Sequence, residues 1–209
     1  MDRYYDRCEA GKILAKQLSE YRNRKDVIVL ALPRGGVPVA YEIAKALSVP
    51  LDIFIVRKLG VPGHEELAMG AIAMGGVTFF NQDLLDEIVI PKSDIERVVQ
   101  SEKKELERRE KKYRGNKAFP ELKNKTIILV DDGIATGATI RVAVKALRKY
   151  HPISIIIAVP VVATSVYAEI AKSVEKIVCP LIPEYLYAVG TWYETFPQIS
   201  DEEVFEFIK

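Results

Sequence analysis

At 209 residues, 49% of them hydrophobic and 28% charged, the chain is long enough to bury one sizeable α/β core with an elaboration, and too short for a second full domain. Lys and Arg number 30 against 29 Asp and Glu, so the formal net charge of +1 excludes the large field of a dedicated nucleic-acid binder and makes any anion binding local. Two cysteines and two histidines exclude a disulfide framework and a zinc spacing, and no apolar run reaches the length of a membrane span; a soluble, cytoplasmic protein with reduced thiols at Cys8 and Cys179 is expected.

From Asp6 to Arg24, the apolar residues Ile13, Leu14, Ala15, Leu18 and Tyr21 recur at helical spacing between Lys12, Lys16, Gln17 and Glu20, which predicts an amphipathic helix covering a sheet. Val27 to Leu32 reads as a buried strand ending at Pro33, Arg34, Gly35 and Gly36, followed by a helix from Val39 to Leu47. Arg34 before two glycines at a strand's carboxyl end is a candidate anion site, since glycine exposes backbone amides and the guanidinium offers a bidentate fork; a simple turn is the plainer alternative. Leu51 to Val56 is a third strand. After it, residues 59–76 carry several glycines, a proline and charges of both signs, with Arg57 and Lys58 at the entrance and His64, Glu65 and Glu66 within, which predicts a flexible lid; exposed histidines such as His64 are ordinarily inert.

Ala71 to Ala73 and Val77 to Phe80 predict a short antiparallel ribbon turning at Gly75 and Gly76. Ser93, Asp94, Ile95 and Glu96 read as a capping box opening a long charged helix over 93–114, with favourable pairs Glu105 with Arg109, Glu107 with Lys111 and Glu110 with Arg114. Its narrow apolar seam, Ile95, Val99, Leu106 and Tyr113, suits a helix lying on the domain surface or a subunit contact in a homodimer. Further on come a buried strand at Ile153 to Val159, a helix at Thr164 to Ala171, a strand at Val174 to Cys179 and a terminal helix at Asp201 to Ile208. Tyr185, Tyr187, Trp192, Tyr193 and Phe196 cluster ahead of that helix, where aromatic rings either fill a core or stack on a planar ligand.

The most informative stretch is Thr126 to Leu147. Ile127, Ile128, Leu129 and Val130 form a continuous apolar run that stops at two adjacent acids, Asp131 and Asp132, as in a central parallel strand meeting its ligand at the carboxyl end. Paired carboxylates there are costly unless hydroxyl groups or a divalent cation use them. The turn Gly133, Ile134, Ala135, Thr136, Gly137, Ala138 and Thr139 opens a helix whose first amides are unbonded, a ready site for a phosphate. It lacks the Gly-Lys-Ser/Thr ending of a P-loop and the G-x-G-x-x-G spacing of a dinucleotide fold.

This string resembles the phosphoribosyl pyrophosphate signature of type I phosphoribosyltransferases, and the resemblance extends over most of Val27 to Val178. It implies an α/β fold with a five-stranded parallel sheet flanked by helices, a small hood from residues 180–209 over the acceptor, and the helix at 93–114 as an insertion. It assigns Asp131 and Asp132 to the ribose hydroxyls, Ala135, Thr136, Gly137, Ala138 and Thr139 to the 5′-phosphate, Arg34 and Gly35 to the pyrophosphate, and Arg57 or Lys58 to the leaving group beneath a closing lid. Mg²⁺ would be chelated mainly by the substrate, with no protein metal site. The implied reaction transfers the 5-phosphoribosyl group to a nitrogenous base with loss of pyrophosphate. Where the hypoxanthine-guanine branch has a proton-handling aspartate this chain has Ala135, which leaves Glu65 and Glu66 as the nearest candidates for an acid or base. A non-catalytic sensor of phosphoribosyl pyrophosphate or a nucleotide on the same fold is the alternative, and a hydrolase using water as acceptor is a third.

Overall fold

A computed structural model of the chain describes residues 3–208, with the side chain of Glu66 excepted. Asp6 caps the first helix, α1 (Arg7–Gln17), by accepting the Glu9 N–H at 2.8 Å. The helix is shorter than its apolar pattern suggests, the remainder becoming a single 3-10 turn at Ser19–Tyr21. It packs on the next helix, not flat on the sheet as expected: a Cβ on Gly11 would lie 2.6 Å from the Val39 carbonyl oxygen, which sits on that helix.

Strand β1 (Val27–Ala31) is buried at every residue and leads into α2 (Gly36–Leu47). That helix begins three residues ahead of the sequence expectation and carries Pro38 in its first turn, where the missing N–H would have had no intrahelical partner. Strand β2 (Leu51–Ile53) is followed by β3 (Val56–Val61), β4 (His64–Ala73) and β5 (Val77–Phe80), which pair antiparallel in the order β3-β4-β5. The β4–β5 ribbon and its turn lie where the sequence puts them. The segment expected to form a flexible lid is the continuation of that ribbon, with a hairpin tip at Pro62 and Gly63 and irregular register around Gly60. Glycines here allow close backbone approach; a Cβ on Gly70 would fall 2.2 Å from the Phe79 carbonyl oxygen. The far end of the ribbon is pinned to the core by the Tyr150 hydroxyl, which donates to the Met74 carbonyl at 2.7 Å.

A short helix α3 (Gln82–Glu87) precedes α4 (Lys92–Arg114), 23 residues long. The capping box does not form: Pro91 occupies the N-cap, no side chain caps the helix, and Asp94 instead accepts from Arg97 at 2.9 Å. Leu106 and Tyr113 are buried and Ile95 and Val99 partly so, as the seam predicts, while Glu105–Arg109 (2.7 Å) and Glu110–Arg114 (3.2 Å) pair as expected. The core then closes with β6 (Thr126–Val130), α5 (Ala138–Arg148), β7 (Ser154–Ala158), α6 (Thr164–Ile170), β8 (Lys176–Val178) and α7 (Asp201–Ile208). Five strands form one parallel sheet in the order β2-β1-β6-β7-β8. With β6 central and paired residue for residue to β1 and β7, its carboxyl end is the floor of the site. Among the described residues no helix is long and apolar enough to cross a membrane.

Candidate active site

Asp131 and Asp132 follow the last residue of β6, and their two side chains are held differently. The Asp132 N–H donates to Asp131 Oδ1 at 2.9 Å, which fixes the first carboxylate. The second is fixed through Oδ2, which accepts Nε of Arg7 at 2.8 Å; both side chains of this ion pair are largely buried, at 8% and 14% exposure. The backbone of the Arg34 loop lies against the same oxygen, since a Cβ on Gly35 would sit on top of Asp132 Oδ2. The loop holding Arg34 and Gly35 and the acid pair are thus one surface, as the sequence reading requires. The Pro33–Arg34 peptide is cis.

Burial pushes the Asp131 carboxyl well above the usual range, and the neighbouring Asp132 charge pushes it further. Asp132 is raised by burial too, and the Arg7 guanidinium opposes that rise. The sign for stability follows: a carboxyl whose pKa is raised on folding contributes stability at low pH that is lost as pH climbs from the ordinary carboxyl value through the raised one. Charge on Asp131 is therefore costly to the ligand-free fold, whereas at Asp132 the Arg7 ion pair offsets the cost of burial.

The turn 133–139 curls beside the acids around a cavity of about 190 Å³ lined by Asp131, Ala135, Thr136, Gly137 and Thr139, with Val189 of the C-terminal tail on the far side. Ile134 is locked to the neighbouring connection by its N–H bond to the Val161 carbonyl, at 2.9 Å. Arg141, one turn into α5, straps the loop by donating to the Thr136 carbonyl at 2.9 Å while pairing with Glu169 at 2.9 Å. Gly137 has φ +73°, a left-handed conformation that suits glycine alone here, because a Cβ would also meet Val166 at 2.8 Å. Gly137→Val is expected to lose binding of ribose 5-phosphate by more than roughly tenfold, with about 2 kcal/mol of destabilisation from strain and overpacking. The structural cause differs from the simple blocking of a ligand: the valine collides with α6, and the turn reshapes. Calorimetry and thermal melting check this, and wild-type affinity in the variant would contradict it.

The remaining sequence candidates lie further out. Arg34 is exposed and points to Asp201 at 3.6 Å. That carboxylate also accepts Tyr113 Oη at 2.6 Å and Lys112 Nζ at 3.0 Å, which hold it below the usual carboxylate range, while burial pushes the Tyr113 phenol up to about 12. Arg57 is bound by Glu102 of α4 at 2.7 Å, and Arg57, Lys58 and Glu65 line a groove with Glu102 and Ser101, apart from the cavity of the turn. The structure therefore does not bring Arg57, Lys58 or Glu65 to the acids. The Glu66 side chain lies outside the described residues. Of the tail aromatics, Tyr185 and Tyr187 are exposed, whereas Tyr193 is buried and donates its hydroxyl to the Asp132 carbonyl at 2.6 Å. The Cys179 thiol, pushed up to about 12 by burial, stays protonated.

The sequence pattern offers Tyr193 only as a core-filling or stacking ring of the tail and does not single out Arg7, although for Arg7 one signal is present. Arg7 falls on the same helical stripe as Ala10, Gly11, Leu14, Ala15 and Leu18, and a cation on a buried stripe requires a buried partner.

A parallel sheet flanked by helices, with acids and a small-residue helix start at the carboxyl end of its central strand, defines an α/β protein whose candidate site lies at that end. The chain belongs to the phosphoribosyl transferase domain family, whose model matches residues 2–69 and 63–184. It is 40% identical over 208 residues to two Mycobacterium tuberculosis proteins, "Putative phosphoribosyl transferase Rv0571c" of strain H37Rv and its counterpart MT0597 of strain CDC 1551, covering all of this chain and 47% of theirs. The chain thus spans about half the length of these relatives. Among solved structures, TT1426 from Thermus thermophilus superposes with a TM-score of 0.87 at 33% identity, over 99% of this chain and 97% of that one. The AQ2163 protein of Aquifex aeolicus shares the fold at a TM-score of 0.52 and 15% identity, over 86% of this chain and 74% of its own.

Proposed function

We propose that this chain transfers the 5-phosphoribosyl group of phosphoribosyl pyrophosphate to a nitrogenous base with release of pyrophosphate. The observation that carries the reading is that Asp131 lines the same cavity as the strapped turn, with Asp132 next to it: hydrogen-bond acceptors for a vicinal diol stand beside a row of amides for a phosphate. Asp131 is held through Oδ1 by the Asp132 N–H and Asp132 through Oδ2 by Arg7, and the two carboxyls also bond to each other, a contact that the diol would replace. The first amides of α5 and the hydroxyls of Thr136 and Thr139 meet the 5′-phosphate. Arg34 leaves Asp201 for the pyrophosphate, and the Asp201 carboxylate stays compensated by Lys112 and Tyr113.

The oxygen-only donors at the site suit a hard cation. Mg²⁺ would be carried mainly on the oxygens of the substrate, with Asp131 and Asp132 engaging the ribose hydroxyls. There it supplies charge neutralisation as negative charge grows on the leaving pyrophosphate. Arg57 joins the leaving group only after Glu102 releases it, which assigns the ribbon of β3 and β4 the part of the closing lid, with Glu65 and Glu66 as its acid and base candidates. The acceptor sits under the hood, in which Tyr185 and Tyr187 are the exposed rings.

A panel of purine and pyrimidine bases, assayed for pyrophosphate release from phosphoribosyl pyrophosphate with Mg²⁺, is expected to yield one base that depends on Asp131. Binding of phosphoribosyl pyrophosphate without release from any base would instead identify a sensor on the same fold.

A further inference from the structure

Arg7 is the most buried cation near the site, and nothing in the sequence motif accounts for it. Three contacts define its position. Nε donates to Asp132 Oδ2 at 2.8 Å, Nη1 donates to the Pro197 carbonyl at 2.7 Å, and the guanidinium carbon lies 3.7 Å from the centroid of the Phe196 ring. Phe196 in turn stacks on Tyr193 at 4.9 Å, and Tyr193 on Tyr4 at 5.5 Å. The Tyr4 N–H donates to the Trp192 carbonyl, and the Glu194 N–H to the Tyr4 carbonyl, so residues from both ends of the described chain enclose the guanidinium. A planar fork with one edge on a carboxylate, another on a carbonyl and its face on a ring has no rotamer freedom left to lose when a ligand arrives.

We propose that Arg7 is a positioning residue for the sugar-binding acids: it fixes the rotamer of Asp132 and compensates the charge of the pair, so that the two carboxyls are set to receive the diol. The inference rests on the proposed role of the acids in ribose binding. A plain strut between the two tails would need only the Pro197 and Phe196 contacts. The third contact is to a ligand-binding carboxylate that burial disfavours as an anion, and Arg7 is the cation that opposes this. The titratable groups around the pair are few. Asp131 lies beside Asp132, Tyr193 faces them from the hood with a phenol that burial raises far above its ordinary value, and Glu203 of α7 lies near enough to feel Arg7. The loop at Gly35 and Gly36, packed against both acids, carries Arg34, whose guanidinium is directed to Asp201 at 3.6 Å.

Two measurements on Arg7→Met and Arg7→Lys test the proposal. The first needs no ligand: NMR titration of the Asp131 and Asp132 carboxyl carbons is expected to move at least one pH unit upward in Arg7→Met and to stay near wild type in Arg7→Lys. The second is calorimetry with Mg²⁺ and phosphoribosyl pyrophosphate. Arg7→Met is expected to bind at least tenfold more weakly at pH 7, with the deficit narrowing as pH rises and the acids ionise. Arg7→Lys, which keeps the charge without the fork, is expected to bind severalfold more weakly at every pH. Should Arg7→Met fail to fold, the near-normal titration and weakened binding of Arg7→Lys still decide the positioning half. Unmoved titration in a folded Arg7→Met, or wild-type affinity in both variants, would overturn the proposal and leave a strut. Failure of the wild-type protein itself to bind phosphoribosyl pyrophosphate would overturn the functional reading, while the ligand-free titration would still report whether Arg7 governs Asp132.

Discussion

Asp131→Asn is expected to weaken phosphoribosyl pyrophosphate binding by roughly 10- to 100-fold, the worth of one hydrogen bond to a charged acceptor, without lowering the melting temperature. The reason is that Asp131 is ionised at a cost. Its pKa is raised by burial and by Asp132, so ionising it costs the fold stability, and a neutral amide of the same shape carries no such penalty. The wild-type protein should gain stability as pH falls through the raised carboxyl value toward the ordinary one, and this gain should shrink in Asp131→Asn. Asp132→Asn is expected to cost both binding and stability, because Arg7 loses its charged partner while the Pro197 and Phe196 contacts remain. With the pair largely but not fully buried, the loss is about 2 kcal/mol, below the value for a completely buried pair. For a chain of this size that is a fall of roughly 4 to 8 °C in melting temperature. Calorimetry and melting scans across pH separate the two acids. Equal behaviour of both variants, or wild-type affinity in either, would contradict the unequal roles that the geometry assigns.

Arg114→Met is expected to destabilise the protein by about 3 to 5 kcal/mol, more than either substitution of the acid pair. Arg114 and Asp52 have side chains 1% and 4% exposed and share a bidentate contact of 2.8 and 2.9 Å; Arg114 also donates to the Ala118 carbonyl at 2.7 Å, and Asp52 Oδ1 also accepts the Ile53 N–H at 2.8 Å. Removing the guanidinium strands a carboxylate beneath α4 with no water to solvate it. The double change Arg114→Met with Asp52→Leu should recover most of the loss, since an apolar pair of similar volume replaces both charges. This pair fastens the end of α4 to the sheet edge at β2, and the adjacent Tyr113 and Lys112 hold Asp201 beside Arg34. A fall in phosphoribosyl pyrophosphate affinity should therefore accompany the loss of stability. A loss under about 1 kcal/mol in a denaturant titration of Arg114→Met would contradict the buried network.

The elements of the parallel sheet were legible in the sequence because a strand buried on both faces reads as an unbroken apolar run, as in Ile127 to Val130, and ends where charge begins. The acid pair and the turn were legible for the related reason that chemistry at the end of such a strand depends on residues contiguous in the chain. Local pattern misled where tertiary contacts override it. Gly60 and Gly70 read as loop residues, yet they lie in β3 and β4, where a neighbouring backbone comes too close for a side chain. Ser93 read as a cap, but the helix begins one residue earlier, behind Pro91. Burial of charge is the other class that spacing conceals. Arg7 meets Asp132 across 125 residues, Arg114 meets Asp52 across 62, and Arg57 is taken up by Glu102 across 45. A guanidinium on a helix shows its stripe in the sequence but not its partner, because the partner is chosen by which elements the fold packs together. The chain's own pattern determined the parallel core and the small-residue turn; only the closing of its two tails over the acids decided that Arg7 would sit against Asp132.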